Sequence, residues 1–234
     1  MIRVYPADSR YQSNHGWLQS HFSFSFAEYF DPENIQFGPL RVFNDDIVAP
    51  QRGFGAHPHQ EMEIVSVVLK GQLEHRDSIG NHGIISFGEV QRMTAGTGIV
   101  HSEMNPSPTE AVNFLQLWFL PEKYGLTPSY EQIQYDVTKM KNNLLPVVSK
   151  EKAGEQVAYI HQDLTMYLSD LEKDHTLTFE QKEGRRIYVF VIEGELTLNH
   201  DTTLHRRDAA RITDVTKLHI STPSQARFML IDLP

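Results

Sequence analysis

Apolar and polar residues alternate with period two in many short runs along the chain and rarely with period 3.6, which predicts strands rather than helices. Leu164, Met166 and Leu168 share one face of such a run, as do Leu177 and Phe179, so both segments are expected as half-buried strands. Phe22, Phe24 and Phe26 alternate with Ser23 and Ser25. Aromatics in this arrangement predict a core-facing stripe, with a pocket wall as the other reading. The stretch from Val112 to Leu120 is apolar on both faces and predicts a strand covered on two sides. Glycines such as Gly71, Gly80, Gly88 and Gly96, and later Gly184 and Gly194, punctuate the runs at roughly 8 to 12 residue intervals, the spacing of an all-β barrel or sandwich.

A repeat lies within this pattern. Val67-Val68-Leu69-Lys70-Gly71-Gln72-Leu73 resembles Phe190-Val191-Ile192-Glu193-Gly194-Glu195-Leu196: an apolar strand, a charged residue, a glycine turn and a returning strand. Gly88 to Met93 can be laid against Arg207 to Ile212 with a four-residue adjustment. Two tandem barrels are the architecture such a repeat implies. The boundary is expected near Gln134 to Asn143, where Lys139-Met140-Lys141-Asn142-Asn143 is polar.

Composition narrows the chemistry. The chain has 234 residues, 40% of them apolar, enough for a sizeable core, and a formal charge of -9 that would repel a phosphate backbone, so nucleic acid is not an expected partner. Cysteine is absent, which excludes disulfides, thiolate metal sites and cysteine nucleophiles. Any transition metal must sit on nitrogen and oxygen. No apolar stretch approaches the roughly 20 residues that span a bilayer, and Met1 to Asp8 lacks the apolar region of a secretory signal, so a soluble cytoplasmic chain is expected.

Twelve histidines are the remaining unusual number. His57-Pro58-His59 and His101-Ser102-Glu103 each place two ligating side chains on one face of a strand, and pairing of the two strands would bring four ligands together. Three imidazoles and a carboxylate suit a borderline divalent ion: iron, nickel, copper, cobalt, manganese or zinc. Chance alone gives about 0.6 His-x-His in such a chain, so spacing decides little without context. The other nine histidines are expected as surface or core filler, with His21 and His75 set slightly apart.

The context is specific. Gly53, His57, His59, Glu63 and Gly71 resemble the first cupin motif with slightly altered glycine spacing, and Gly88 to Asn105 resembles the second. Asn14-His15-Gly16-Trp17, Phe22-Ser23-Phe24, Gly55-Ala56-His57-Pro58-His59 and Ala95-Gly96-Thr97-Gly98-Ile99-Val100-His101-Ser102-Glu103 are similar to the pirin family within the cupins, particularly its bacterial quercetin 2,3-dioxygenase branch. The likeness runs over the whole chain and is densest from Asn14 to Asn105.

This resemblance implies an all-β bicupin of two double-stranded β-helix (jelly-roll) barrels. Residues 1–137 would form the metal-binding cupin and 138–234 a cupin-like domain without metal, since Glu180 to Lys182 holds no second His-x-His. It implies metal ligands at His57, His59, His101 and Glu103, one divalent ion with iron named first, and Glu103 as the catalytic proton acceptor. Glu63, at the ligand position of general cupins, is open to three readings, a ligand, an acceptor that orients an imidazole N–H, or a solvated strand residue, and the pirin pattern favours Glu103 as the ligand. The activity implied is opening of the flavonol heterocycle by dioxygen with release of carbon monoxide. Two other readings stand beside it: a metal- or redox-responsive binding protein, and a cupin enzyme for another small phenolic, enediol or acid.

Overall fold

The computed structural model describes residues 1–234, and its regular elements are strands apart from two short 3₁₀ turns, Ala7–Ser9 and Val137–Met140. The chain opens with β1 (Ile2–Tyr5). One unit, Tyr11–Tyr135 with Gly154–Gln162, contains β2 (Tyr11–Asn14), β3 (Leu18–Phe22), β4 (Leu40–Val48), β5 (Gly53–His59), β6 (Glu63–Lys70), β7 (Gln72–Asp77), β8 (His82–Ser86), β9 (Glu89–Thr94), β10 (Ile99–Met104), β11 (Val112–Phe119) and β12 (Ser129–Gln134). Its two antiparallel sheets run β12-β9-β6-β11-β4-β3-β2 and β5-β10-β7-β8. The other unit, Met1–Arg10, Asp136–Ala153 and Asp163–Pro234, contains β1 with β13 (Leu145–Ser149), β14 (Thr165–Glu172), β15 (Thr176–Glu180), β16 (Arg186–Gly194), β17 (Leu196–Leu198), β18 (Thr202–Leu204), β19 (Ala209–Thr213), β20 (Lys217–Ser221) and β21 (Gln225–Leu233). Its sheets run β1-β19-β16-β21-β14-β13 and β15-β20-β17-β18.

The two strand orders correspond, except that β2 at the edge of the first unit's larger sheet has no counterpart, and this gives the repeat a structural meaning. β6 and β16, which carry the similar segments, sit between β9 and β11 and between β19 and β21 respectively. The glycines that close both hairpins adopt left-handed backbone, Gly71 at φ +81° and Gly194 at φ +84°. A Cβ on Gly194 would lie 2.0 Å from the Gln225 carbonyl oxygen, and one on Gly71 2.9 Å from that of Ala111, so neither position admits a side chain without backbone movement.

A single cut at 137/138 does not describe this partition. The N-terminal β1 occupies, beside β19, the place that β12 holds beside β9, because its Ile2 and Val4 pack against the second unit's core. Residues 154–162 likewise belong with the first unit. The half-buried reading of the Leu164 run also changes. Tyr167 and Leu171 face the interior cluster of the second unit, while Met166 and Leu168, on the opposite face of β14, are buried as well. β11, between β6 and β4, is covered on both sides as its composition predicts.

Gly194→Ala should destabilise the protein by about 2 kcal/mol, combining left-handed strain with the backbone clash. Urea unfolding monitored by circular dichroism checks this, and an unchanged midpoint would contradict it.

Candidate metal centre

β5 is an edge strand, which is why it tolerates Pro58 between the two histidines: the missing N–H costs no ladder bond on the open side. Its other edge pairs with β10 so that His57 stands opposite His101 and His59 opposite Ile99. On β10, Ile99, His101 and Glu103 are buried while Val100 is exposed, the inward-outward alternation that the His-x-Glu spacing predicts. A bulge between His101 and Glu103 shifts the register by one residue, leaving Glu103 opposite Phe54.

The result is three imidazoles whose ligating atoms lie within 4.8 Å of one another. His57 Nδ1 donates to the Gly55 carbonyl oxygen at 2.7 Å, and His101 Nδ1 lies 3.3 Å from His75 Nδ1. Both rings therefore use Nδ1 outside the cluster. His101 Nε2 is buried with no hydrogen-bond partner, an orphan whose desolvation costs about 1–3 kcal/mol unless something takes its lone pair. Burial, reinforced by the neighbouring imidazoles, lowers His59 to about 4 and His101 to about 3. Both rings are thus neutral near pH 7, the state in which imidazole ligates. Three converging imidazoles with no cysteine fit a borderline divalent ion.

Glu103 is buried beside the trio, and both its oxygens are held: Ser66 Oγ donates to Oε1 at 3.2 Å and Gln116 Nε2 to Oε2 at 2.6 Å. Trp118 Nε1 donates to Gln116 Oε1 at 3.3 Å, fixing that amide, and the Trp118 ring meets His59 edge-on at 4.8 Å. A cavity of about 250 Å³ opens beside these groups. Phe22, Phe26, Phe54 and Trp118 form its apolar walls, and Asn44, Asp46, Glu103 and Gln116 its polar side. Burial raises Asp46 to about 7 against the opposing hydrogen bond from Ser20.

The aromatic stripe is therefore split: Phe24 is core, as expected, whereas Phe22 and Phe26 line the cavity. Glu63 is fully buried, its Oε2 accepting from Thr94 Oγ1 and the His161 amide at 3.1 Å each and lying 3.4 Å from the His161 ring. It faces an imidazole, but not one of the three in the cluster. His75, expected as filler, is fully buried and touches His101 because β7 pairs with the other edge of β10. His15 reaches the cavity rim through Ser13. His15 lies in the Asn14-His15-Gly16-Trp17 segment, whereas His75 has no motif of its own and comes to the site through the pairing of β7 with β10.

The Pirin family profile matches residues 5–119, and that of the quercetinase C-terminal cupin domain residues 146–233. A quercetin 2,3-dioxygenase of Escherichia coli strain K12 is 41% identical over 234 residues, covering 100% of this chain and 99% of its own. The chain belongs to the pirin family. Among solved structures, that of the E. coli bacterial pirin YhhW in complex with nickel(II) matches this pirin with a TM-score of 0.94 at 40% identity, covering 100% of this chain and 99% of that one. GK1651 of Geobacillus kaustophilus shares the fold, with a TM-score of 0.81 at 22% identity over 98% of this chain and 94% of its own. The metal in the YhhW complex belongs to that protein; here the three histidines form a cluster that could hold a metal ion.

The depressed pKa values have a measurable consequence in the metal-free protein. Between about pH 6.5 and 4 the unfolded chain protonates His59 and His101 while the folded chain does not, so their contribution makes stability fall as pH falls. Asp46 acts in the opposite sense between about 4 and 7, since its folded form holds the proton longer. With two groups against one, thermal melts should show a net acid loss across this window. His101→Leu should flatten it, and an unaltered slope in that variant would contradict the assignment.

Proposed function

We propose that this pirin is a cytoplasmic metal-dependent dioxygenase that opens the heterocyclic ring of flavonols such as quercetin, consuming dioxygen and releasing carbon monoxide. The observation that carries the reading is the convergence of His57, His59 and His101, one with a buried partnerless nitrogen, beside an aromatic-walled cavity. End-to-end similarity to a quercetin 2,3-dioxygenase supports the substrate class.

His57, His59, His101 and Glu103 would hold one divalent transition ion, iron first, with nickel, copper, cobalt, manganese and zinc served by the same donors. When bound, the ion supplies Lewis acidity toward a substrate oxygen and an open position for oxygen chemistry. Each carboxylate oxygen has two lone pairs, so Glu103 can ligate and still accept from Ser66 and Gln116.

The protein's own contribution is positioning and proton transfer. Phe22, Phe26 and Trp118 offer flat apolar surface to a planar polyphenol and keep water from its ring. Glu103 accepts the proton of the substrate's 3-hydroxyl, leaving an electron-rich oxygen to donate into the ring. Gln116, held by Trp118, keeps that carboxylate from turning away.

Metal-loaded protein should bleach the flavonol absorbance under oxygen with about one carbon monoxide per flavonol consumed. His57→Ala and Glu103→Ala should each lower kcat/KM at least ~100-fold, or about 3 kcal/mol. Unchanged absorbance with the loaded wild type, or unaltered turnover in either variant, would overturn the reading.

A further inference from the structure

His75 has a chemistry of its own. It lies on β7, fully buried, with its ring stacked on Tyr130 at a centroid distance of 4.5 Å and an interplanar angle of 21°. One ring nitrogen, Nε2, is 3.0 Å from Asp77 Oδ2; the other, Nδ1, is 3.3 Å from both His101 Nδ1 and Gln91 Nε2. Every polar atom of the ring is thus committed.

The direction of each hydrogen bond follows from Asp77. Its carboxylate already receives the backbone N–H groups of Ile79 and Asn81 on Oδ1 and the Asn81 amide on Oδ2. An anion so held can only accept, so the His75 proton resides on Nε2. Gln91 Oε1 accepts from Tyr130 OH, so its Nε2 is the atom that faces His75 Nδ1, and an amide nitrogen can only donate, which makes Nδ1 an acceptor. His101 must then donate from Nδ1, and the lone pair of its own Nε2 is left for the cluster, where that atom is buried and without a partner.

We propose that Asp77 and His75 form a tautomer lock that positions His101, relaying the carboxylate's polarity across one ring so that His101 presents Nε2 as a donor before any ion arrives. His57 gets the same service from the Gly55 carbonyl. A carbonyl fixes a tautomer, but a carboxylate–imidazole relay also strengthens the ligand as a donor, since the proton on Nδ1 is drawn outward. His75 is a positioning residue; it touches neither ion nor substrate. The inference rests on reading the three histidines as an ion site.

Nitrogen-15 correlation spectra of the metal-free full-length chain near pH 7, with nickel(II) affinity by chelator competition, test it. Wild type should show His101 protonated at Nδ1 and His75 at Nε2. His75→Phe keeps a flat ring on Tyr130 but removes the acceptor; His101 should then populate both tautomers and nickel(II) affinity should fall 10–100-fold. His75→Gln, whose amide oxygen can accept, should recover much of that loss. A wild-type spectrum with His101 protonated at Nε2 overturns the lock without any variant, as does unchanged nickel(II) affinity in His75→Phe. His57→Ala separates the two claims: unchanged affinity there overturns the ion site itself, whereas unchanged affinity in His75→Phe alone overturns only the lock.

Discussion

The site depends on the antiparallel pairing of β5 with β10. That ladder sets His57 opposite His101 and points His59 and Glu103 the same way, so side chains 42 to 46 residues apart in the chain meet on one face. A slip of one residue would turn His101 and Glu103 outward together, because side chains alternate with period two. The other edge of β10, paired with β7, brings in His75 and Asp77. One strand, held on both sides, therefore carries a ligand, the acid beside it and the contact that orients the ligand.

The second unit shows what the same architecture does without ligands. β15 and β20 hold the places of β5 and β10 in their sheet, but they pair Phe179 with Leu218 and Leu177 with Ile220. Phe179, Leu218 and Ile220 belong to that unit's apolar cluster. Glu180 stands opposite Lys217 as an exposed ion pair of 3.2 Å. Where the first unit sets three imidazoles and Glu103 on these strands, the second sets apolar side chains that join its core, and burial of apolar surface is the return.

Much of this was legible in the sequence, because period-two alternation and the His-x-His and His-x-Glu spacings are local consequences of strand geometry. The repeat around Gly71 and Gly194 was legible because a left-handed hairpin residue leaves a glycine behind. What could not be read depends on pairing. His75 has no motif, and its role comes from lying across the ladder from Glu103. Glu63 could be assigned to an imidazole but not to His161, which is nearly a hundred residues away in the chain. The exchange of β1 into the second unit was hidden because Ile2-Arg3-Val4-Tyr5 reads like any short strand. Phe22 and Phe26 looked like core for the same reason: period two says which face a residue is on, not whether that face meets packed side chains or a cavity.

The central claim is that three imidazoles and a carboxylate, converging through one strand pair, hold a single ion. X-ray absorption spectroscopy of nickel(II)-loaded protein tests it most directly. One ion per chain, with nitrogen and oxygen neighbours and outer-shell scattering from three imidazole rings falling to two in His101→Ala, is the predicted result. A loaded spectrum with fewer than three imidazoles, or one unaffected by loss of His101, would contradict the account.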